Sequence, residues 1–182
     1  MNLTDNIFEK LMADLGPFEA RPHVAVAVSG GADSLCLALL LGRWVNKRGG
    51  RVTALTVDHG LRAGSSGEAR QVARWLKPHG IGHHILPWRG PKPKTGVQAA
   101  ARTARYGLMQ AWCRDHGVLH LALAHTEDDQ AETFLLRLGS GSGAEGLAAM
   151  AAIRETPAVR PLRPWMVVPK AGLPAVRKKE GQ

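Results

Sequence analysis

Short apolar runs alternate with longer segments of helical periodicity along most of this 182-residue chain. The runs are nearly continuous, as expected for strands buried on both faces, and they cover residues 23–28, 52–57, 82–86 and 118–124. The helical segments are residues 35–47, 67–77, 97–116 and 127–138. Strands that alternate with helices pair in parallel through right-handed crossovers. The sequence therefore predicts an α/β fold: a doubly wound, mainly parallel sheet of about five strands, with helices on both faces.

The two ends of the chain fall outside this alternation. Residues 1–20 are expected to form a leading helix or arm. A fifth strand is expected near residues 158–162, and the prolines around and beyond it favour an extended, basic tail over residues 166–182. The length suits one ordinary domain with a full hydrophobic core. We therefore predict a single catalytic domain over residues 21–165.

Charge and cysteine content limit the class of protein. The net charge of +9 and the pI near 10.3 favour a polyanionic partner such as a nucleic acid. Cys36 and Cys113 lack the short spacing of a disulfide framework or a Cys-x-x-Cys site, which favours a reducing compartment. No signal-peptide pattern is present, and no run reaches the roughly 18 apolar residues of a membrane span. We expect a cytoplasmic protein that has no membrane segment.

A loop rich in glycine and serine lies where the first predicted strand becomes the first predicted helix. Its residues are Ser29, Gly30, Gly31, Ala32, Asp33 and Ser34. A helix N-terminus offers unpaired N–H groups and a positive dipole end, and glycines let an anion approach the backbone closely. Asp33 repels a bare phosphate, so its presence favours a bridging Mg²⁺. Because the loop has no lysine, we predict a phosphate-binding loop that is not of the Walker A type.

The second predicted strand ends in a carboxylate and an imidazole, those of Asp58 and His59. In doubly wound folds an acidic residue at this place commonly bonds a ribose hydroxyl. An aspartate at the end of a strand also commonly caps a turn. Both interpretations of Asp58 stay open, and both place the pair beside the phosphate loop.

A dense polar cluster follows the fourth predicted strand, at the start of a predicted helix. It contains His125, Asp128 and Asp129. Acidic residues in a first turn complement the helix dipole, so capping alone is one explanation. However, Asp128 shares a helical face with the apolar residues Ala131 and Leu135. A carboxylate on a buried face needs a partner, such as a metal, an ATP group or a substrate amine.

The third helical segment carries a cationic face. Arg102 and Arg105 recur at helical spacing, and Tyr106 follows four residues after Arg102. Surface arginines are often merely solvated, but the guanidinium group also suits phosphate, and a tyrosine offers a stacking surface. Further along, Gly141 and Gly143 follow a predicted helix rather than a strand, which excludes a dinucleotide-binding fingerprint. Their stretch either clamps a substrate or links two helices.

Several of these motifs match known families when they are taken together. The loop at 29–34 resembles the pyrophosphate-binding loop of the N-type ATP pyrophosphatases, which cleave ATP between the α- and β-phosphates. The wider pattern is similar to the catalytic domain of bacterial tRNA(Ile)-lysidine synthases, a family that usually has glycine where this chain has Ala124. That family usually carries further C-terminal tRNA-binding domains. The segments that carry the resemblance are residues 57–62, 101–106, 125–133 and 141–147.

The resemblance implies an adenine nucleotide alpha hydrolase-like, Rossmann-like fold and an ATP-dependent ligase. In the reaction that the resemblance implies, ATP adenylates the wobble cytidine of tRNA(Ile), pyrophosphate leaves into the loop, and free L-lysine displaces AMP to give lysidine. The implied roles are ATP binding by residues 29–34, Asp58 and His59; Mg²⁺ contact by Asp33 and Asp129; lysine binding or deprotonation by His125 and Asp128; and contact with tRNA or activated cytidine by Arg102, Arg105, Tyr106, Gly141 and Gly143. Association as a homodimer is left open.

Three alternative functions are kept. A tRNA thiolase of the same superfamily shares the adenylation step, but it needs cysteines to deliver sulfur. A small-molecule amide ligase shares the loop, but the carboxylate cluster at 125–133 is not expected in it. The third alternative is an inactive, truncated module that only binds nucleotide or RNA.

Overall fold

The sheet has the predicted parallel architecture. A computed structural model describes residues 5–61, 64–90, 92–124 and 159–167. Their strands are β1 (His23–Ala27), β2 (Arg51–Asp58), β3 (Gly82–Pro87), β4 (His120–Ala122) and β5 (Arg160–Leu162). These strands form one sheet in the order β3-β2-β1-β4-β5, and every pairing is parallel. The α/β prediction is confirmed, and the fifth strand forms at the predicted place.

Helices connect the strands as the periodicity predicts. They are α1 (Asp5–Asp14), α2 (Ala32–Asn46), α3 (Ser65–Leu76) and α4 (Val97–Asp115), and a short 3₁₀ turn (Pro164–Val167) follows β5. The first residues of α2 belong to the phosphate loop, because the helix begins at Ala32 rather than near residue 35. Apolar periodicity missed this start because the first turn is polar. The helix predicted over 127–138 lies outside the described residues.

Two hydrophobic clusters cover the two faces of the sheet. Successive side chains of a strand point to opposite faces, and β1 shows this clearly. Val24 and Val26 pack with residues of α1, α2 and α3, whereas Ala25 packs with residues of α4. Burial on both faces explains why the strand sequences are nearly continuous apolar runs rather than alternating ones.

The N-terminal residues are held against the rest of the chain. Phe8 and Met12 of α1 are fully buried in the cluster that contains α2. Arg160 on β5 donates hydrogen bonds to the carbonyl oxygens of Gly16 and Pro17, at 2.9 and 3.1 Å. Helix α1 thus contributes to the common core, while the division into flanks 1–20 and 166–182 around one domain stays a prediction. None of the helices in the described part of the chain combines the length and the hydropathy that crossing a membrane requires.

Candidate nucleotide-binding site

A cleft of about 780 Å³ opens where β1, β2 and β4 end. The strand order reverses between β1 and β4, which is the place where open α/β sheets bind their ligands. The first turn of α2 forms one wall of the cleft, and residues of α3 and α4 form the others. Six of its lining residues are Ser29, Asp33, Thr56, His59, Arg105 and Tyr106.

Ser34 closes the loop between β1 and α2. Its hydroxyl donates to the carbonyl oxygen of Gly31 at 2.7 Å, and its Oγ accepts from the amide of Ser29 at 3.2 Å. The amide of Gly31 donates to Ser29 Oγ over a longer 3.4 Å. Ser34 is buried, whereas Ser29 and Gly31 are exposed. The hydroxyl proton of Ser34 therefore serves the loop itself, and Ser29 is the serine presented at the surface.

The backbone of this loop has the geometry of an anion-binding helix terminus. Gly30 adopts a φ of +87°, a left-handed conformation that side chains other than glycine rarely accept. Gly31 is the N-cap of α2, and no side chain caps the helix there. The amides of Ala32, Asp33 and Ser34 then have no carbonyl partner within the helix. These donors and the positive dipole end favour a phosphate or pyrophosphate group.

Thr56 supports the loop from the neighbouring strand, and sequence reasoning missed it. Its hydroxyl donates to the carbonyl oxygen of Val28 at 2.8 Å. His83 Nε2 lies 2.8 Å from the same hydroxyl oxygen, and burial lowers the pKa of His83. A neutral ring with its proton on Nε2 satisfies this geometry as the donor to Thr56. The only sequence signal was a hydroxyl side chain in a mainly apolar strand, and Thr53 of the same strand gives the same signal.

Asp58 turns toward its own loop. Its Oδ1 accepts from the amide of Gly60 at 3.0 Å and from the hydroxyl of Ser65 at 2.6 Å, and its Oδ2 accepts from the hydroxyl of Ser66. These bonds, those from Ser65 and Ser66 most of all, hold the pKa of the carboxyl below its usual range. Of the two interpretations of Asp58, turn capping is observed directly, while a bond to ribose stays a prediction.

His59 lies inside the cleft with an unpaired ring nitrogen. Its Nδ1 is buried and has no hydrogen-bond partner among the described residues. Its pKa is lowered, first by burial and then by the positive charges of Arg105 and Lys92, although Asp58 acts in the opposite direction. The imidazole is therefore neutral near pH 7, and it can exchange a hydrogen bond with a ligand without adding charge.

The loop after β3 contacts His59 through the ring of Trp88. The Trp88 ring stands edge-on to the His59 ring, with 6.1 Å between centroids. Lys92 Nζ lies 3.9 Å from the Trp88 ring centroid and donates to the Trp88 carbonyl oxygen. The basic composition of this loop was visible in the sequence, but its contact with His59 was not.

The two arginines of the predicted cationic face of α4 differ in their position relative to the cleft. Arg105 lines the cleft and is half-buried, whereas Arg102 is exposed and does not line it. Both guanidinium carbons lie 5.4 Å from the ring centroid of Tyr106, and Tyr106 lines the cleft. The two arginines therefore have different surroundings, although their helical spacing predicted one role for both.

Part of the predicted site falls on residues that the structure does not describe. His125, Asp128, Asp129, Gly141 and Gly143 lie outside the described residues. Leu123 and Ala124, the last residues before this segment, line the cleft. The roles of these five residues stay predictions. Within the described residues, no cluster of histidine, cysteine and acidic side chains could hold a metal ion.

Comparison with known proteins gives matches over nearly the whole chain. A family model described as a PP-loop domain matches residues 3–182. The chain is 49% identical over 173 residues to a tRNA(Ile)-lysidine synthase of Bradyrhizobium diazoefficiens, covering 94% of this chain and 47% of the relative. It is 43% identical to one from Ruegeria pomeroyi, covering 90% of this chain and 40% of that relative. The chain thus spans about half the length of the curated relatives it matches.

Solved structures share the fold at low sequence identity. The U34-tRNA thiolase NcsA from Methanococcus maripaludis, solved with its [4Fe-4S] cluster, superposes with a TM-score of 0.81 at 18% identity. That match covers 95% of this chain and 62% of the thiolase chain. NMN synthetase from Francisella tularensis superposes with a TM-score of 0.62 at 13% identity, covering 98% of this chain and 71% of that chain. At such identities these matches show a common fold and no more.

Proposed function

Since this chain belongs to the PP-loop family, we propose that it carries the ATP-dependent ligase activity of a tRNA(Ile)-lysidine synthase. In this reaction the wobble cytidine of tRNA(Ile) is adenylated by ATP, and free L-lysine then replaces AMP. The products are lysidine-modified tRNA, AMP and pyrophosphate. One observation carries the proposal: an uncapped, glycine-containing helix terminus opens onto a cleft in a chain 49% identical to such a synthase.

In the first step the β1–α2 loop binds the departing pyrophosphate. The amides of Ala32, Asp33 and Ser34 and the hydroxyl of Ser29 are the donors available at this end of α2. They stabilise the negative charge that develops as the bond between the α- and β-phosphates breaks. His59, with its neutral ring and unpaired Nδ1, contacts the adenosine, and Asp58 holds the turn that carries His59.

Carboxylate chemistry at the loop suits Mg²⁺. Asp33 lines the cleft, and carboxylate oxygens are the ligands that Mg²⁺ prefers. We assign Asp33 and Asp129 to the ion. When bound, Mg²⁺ neutralises phosphate charge and so assists departure of pyrophosphate.

In the second step the lysine amine attacks the activated cytidine carbon and AMP leaves. An ammonium group has no lone pair, and a lysine amine is mostly protonated at pH 7, so a proton must first be removed. We assign Asp128 and His125 to binding this ammonium and accepting that proton. His125 directly follows Ala124, which lines the cleft, and Asp128 comes three positions after His125.

The tRNA is proposed to reach the cleft across its cationic side. Arg105 inside the cleft and Arg102, which is exposed outside it, are suited to phosphate, and both guanidinium groups lie near the Tyr106 ring. The net charge of +9 favours the same polyanion, and we assign Gly141 and Gly143 to the substrate as well. A tRNA substrate and reduced cysteines agree with a cytoplasmic location. A homodimer stays a prediction that sedimentation can test.

The thiolase alternative is not supported by the cysteines of this chain. Both of them, Cys36 and Cys113, are buried within helices, and burial raises the pKa of Cys113 to about 12. A thiol with such a pKa is a poor nucleophile at pH 7. Iron–sulfur clusters of the four-iron type are held by sets of cysteine thiolates, which two separated, buried cysteines do not provide.

The decisive experiment follows lysine. The chain is incubated with ATP, Mg²⁺, labelled L-lysine and a tRNA(Ile) that has cytidine at the wobble position. The proposal predicts ATP-dependent incorporation of lysine, with AMP and pyrophosphate released in equal amounts. Binding of ATP with no pyrophosphate release on this tRNA would favour the inactive-module alternative instead.

An aspartate pair provides the matched control. Asp33→Ala removes the proposed Mg²⁺ ligand and is expected to lower turnover about 100-fold or more. Asp115→Ala changes an exposed aspartate in the last turn of α4, where it pairs with Arg114, and leaves turnover unchanged. Circular dichroism of both variants checks that they fold. Equal turnover of the two variants would remove the Mg²⁺ assignment.

A further inference from the structure

The 3₁₀ turn after β5 places an indole ring beneath the phosphate loop. Trp165 is completely buried in the hydrophobic cluster that contains α1 and α2. Its ring packs against Phe8 of α1, with centroids 5.7 Å apart and planes tilted by 60°. A buried indole needs a partner for its N–H group, because an unpaired buried donor is costly.

The partner of this indole belongs to the proposed catalytic loop. Trp165 Nε1 donates to the carbonyl oxygen of Asp33, at 3.3 Å. Asp33 lies in the first turn of α2 and lines the cleft. The residue that carries the proposed Mg²⁺ ligand is therefore held through its backbone by a side chain 132 positions further along the chain.

Two tertiary hydrogen bonds thus bracket the loop. At the strand side, the hydroxyl of Thr56 donates to the carbonyl oxygen of Val28. At the helix side, Trp165 donates to Asp33, and no side chain caps the N-terminus of α2. The bond from Trp165 therefore holds a helix end that lacks the usual local support.

We propose that Trp165 is a positioning residue of the pyrophosphate site, which fixes the first turn of α2 so that its amides and the Asp33 carboxylate meet the phosphates. The proposal rests on the proposed use of ATP only where it predicts nucleotide affinities. Trp165 acts through the part of the site that holds the β- and γ-phosphates, so it affects the binding of ATP and pyrophosphate but not that of AMP. The proposal assigns no contact between Trp165 and substrate.

The first test compares two buried tryptophans that share the same cluster. Trp165→Phe keeps an aromatic ring against Phe8 but removes the N–H donor. Trp44→Phe makes the same change near the other end of α2, where Trp44 packs against Phe18. Each variant is examined by hydrogen exchange of the amides in residues 29–37. We expect faster exchange there in Trp165→Phe alone, and equal exchange in the two variants would overturn the proposal.

The second test measures affinity by calorimetry. Loss of one hydrogen bond is expected to raise the Kd for Mg²⁺-ATP about fivefold in Trp165→Phe, and to leave the Kd for AMP unchanged. Trp44→Phe should leave both constants unchanged. Equal weakening of ATP and AMP in Trp165→Phe would indicate general loosening and overturn the proposal.

The exchange measurement separates this proposal from the proposed function. If the unaltered chain binds no ATP but the exchange difference persists, the proposed function fails and the positioning of α2 stands. If Trp165→Phe does not fold, the unaltered protein provides the measurement. Its Trp165 indole N–H signal should shift on titration with Mg²⁺-pyrophosphate while that of Trp44 does not, and an unmoved Trp165 signal would overturn the proposal.

Discussion

The two turns that lead from strand to helix at the cleft use their polar groups in opposite ways. Neither α2 nor α3 has a side-chain cap, but in the β1–α2 turn the first-turn amides of α2 lie beside the cleft without intrahelical partners, and Asp33 lines the cleft. In the β2–α3 turn, the Asp58 carboxylate accepts from Gly60, Ser65 and Ser66. The β1–α2 turn leaves its helix amides and its carboxylate available to a ligand, whereas the carboxylate of the β2–α3 turn is used to hold that turn.

This difference separates the proposed binding loop from a supporting turn at the same edge of one sheet. Both turns contain glycine, serine and aspartate, so composition alone does not distinguish them. What distinguishes them is where the carboxylate points. Asp33 lines the cleft, while Asp58 is engaged by hydroxyls of its own turn.

The largest expected effect comes from a backbone change that can be made in either turn. Gly30 has a φ of +87° and Gly64, the N-cap of α3, has a φ of +100°. Alanine in such a conformation costs about 1–2 kcal/mol, so both substitutions should lower the free energy of unfolding. Only Gly30→Ala should also raise the Kd for Mg²⁺-ATP, by about tenfold, because it moves the loop amides. Equal loss of affinity in Gly64→Ala would end the distinction between the turns.

A change at Asp58 tests the supporting turn. Asp58→Asn keeps the size but removes the charge that three donors share, so the free energy of unfolding at pH 7 should fall by about 1 kcal/mol. Because the folded-state pKa of Asp58 is lowered, this contribution is present above the usual pKa of an aspartate and is lost as the pH falls through the folded value. Denaturant titrations at several pH values measure it.

The same variant decides whether Asp58 has a second role. If Asp58 only caps its turn, the Kd of Asp58→Asn for ATP should stay within about threefold of the Kd of the unaltered chain. The loss of a single neutral hydrogen bond can cause a change of that size. A rise of this Kd by tenfold or more would show that Asp58 bonds the ribose, which is the other interpretation that the sequence left open. Asp115→Asn, an exposed aspartate on α4, is the matched control.

The smallest effect concerns the charge beside His59. Arg105→Gln removes a positive charge that lowers the pKa of His59, so that pKa should rise toward its usual value. Below the usual pKa of histidine, His59 binds a proton more readily in the unfolded chain than in the folded one. Acid therefore lowers the free energy of unfolding, and Arg105→Gln should make this decrease smaller. Titration by NMR of the His59 ring protons measures the shift. The control is Arg102→Gln, since Arg102 is exposed and is not among the groups that shift His59.

Much of the fold could be predicted because it depends on local patterns. The strands near residues 23–28 and 52–57 are mostly apolar, since both of their faces are buried, and this is readable without any tertiary information. Gly30 and Ser34 marked the phosphate loop through composition and place in the chain. The start of α2 was missed by three residues, since its first turn is polar.

The supporting residues could not be predicted because their partners are distant in sequence. Thr56 bonds a carbonyl 28 positions away, and Trp165 bonds one 132 positions away. Nothing in the local sequence of either residue marks such a bond, because a hydroxyl in a strand and a tryptophan after a strand have many possible partners.

The sequence by itself determined the alternation of strands and helices, and with it the parallel sheet and the loop at 29–34. Those features follow from periodicity and backbone requirements, which act over a few residues. Only the tertiary structure decided that Arg105 enters the cleft while Arg102 stays outside, and that Asp58 turns to Ser65 and Ser66. The orientation of a helix face and the partner of a carboxylate depend on how the elements pack together, and packing is set by contacts between distant parts of the chain.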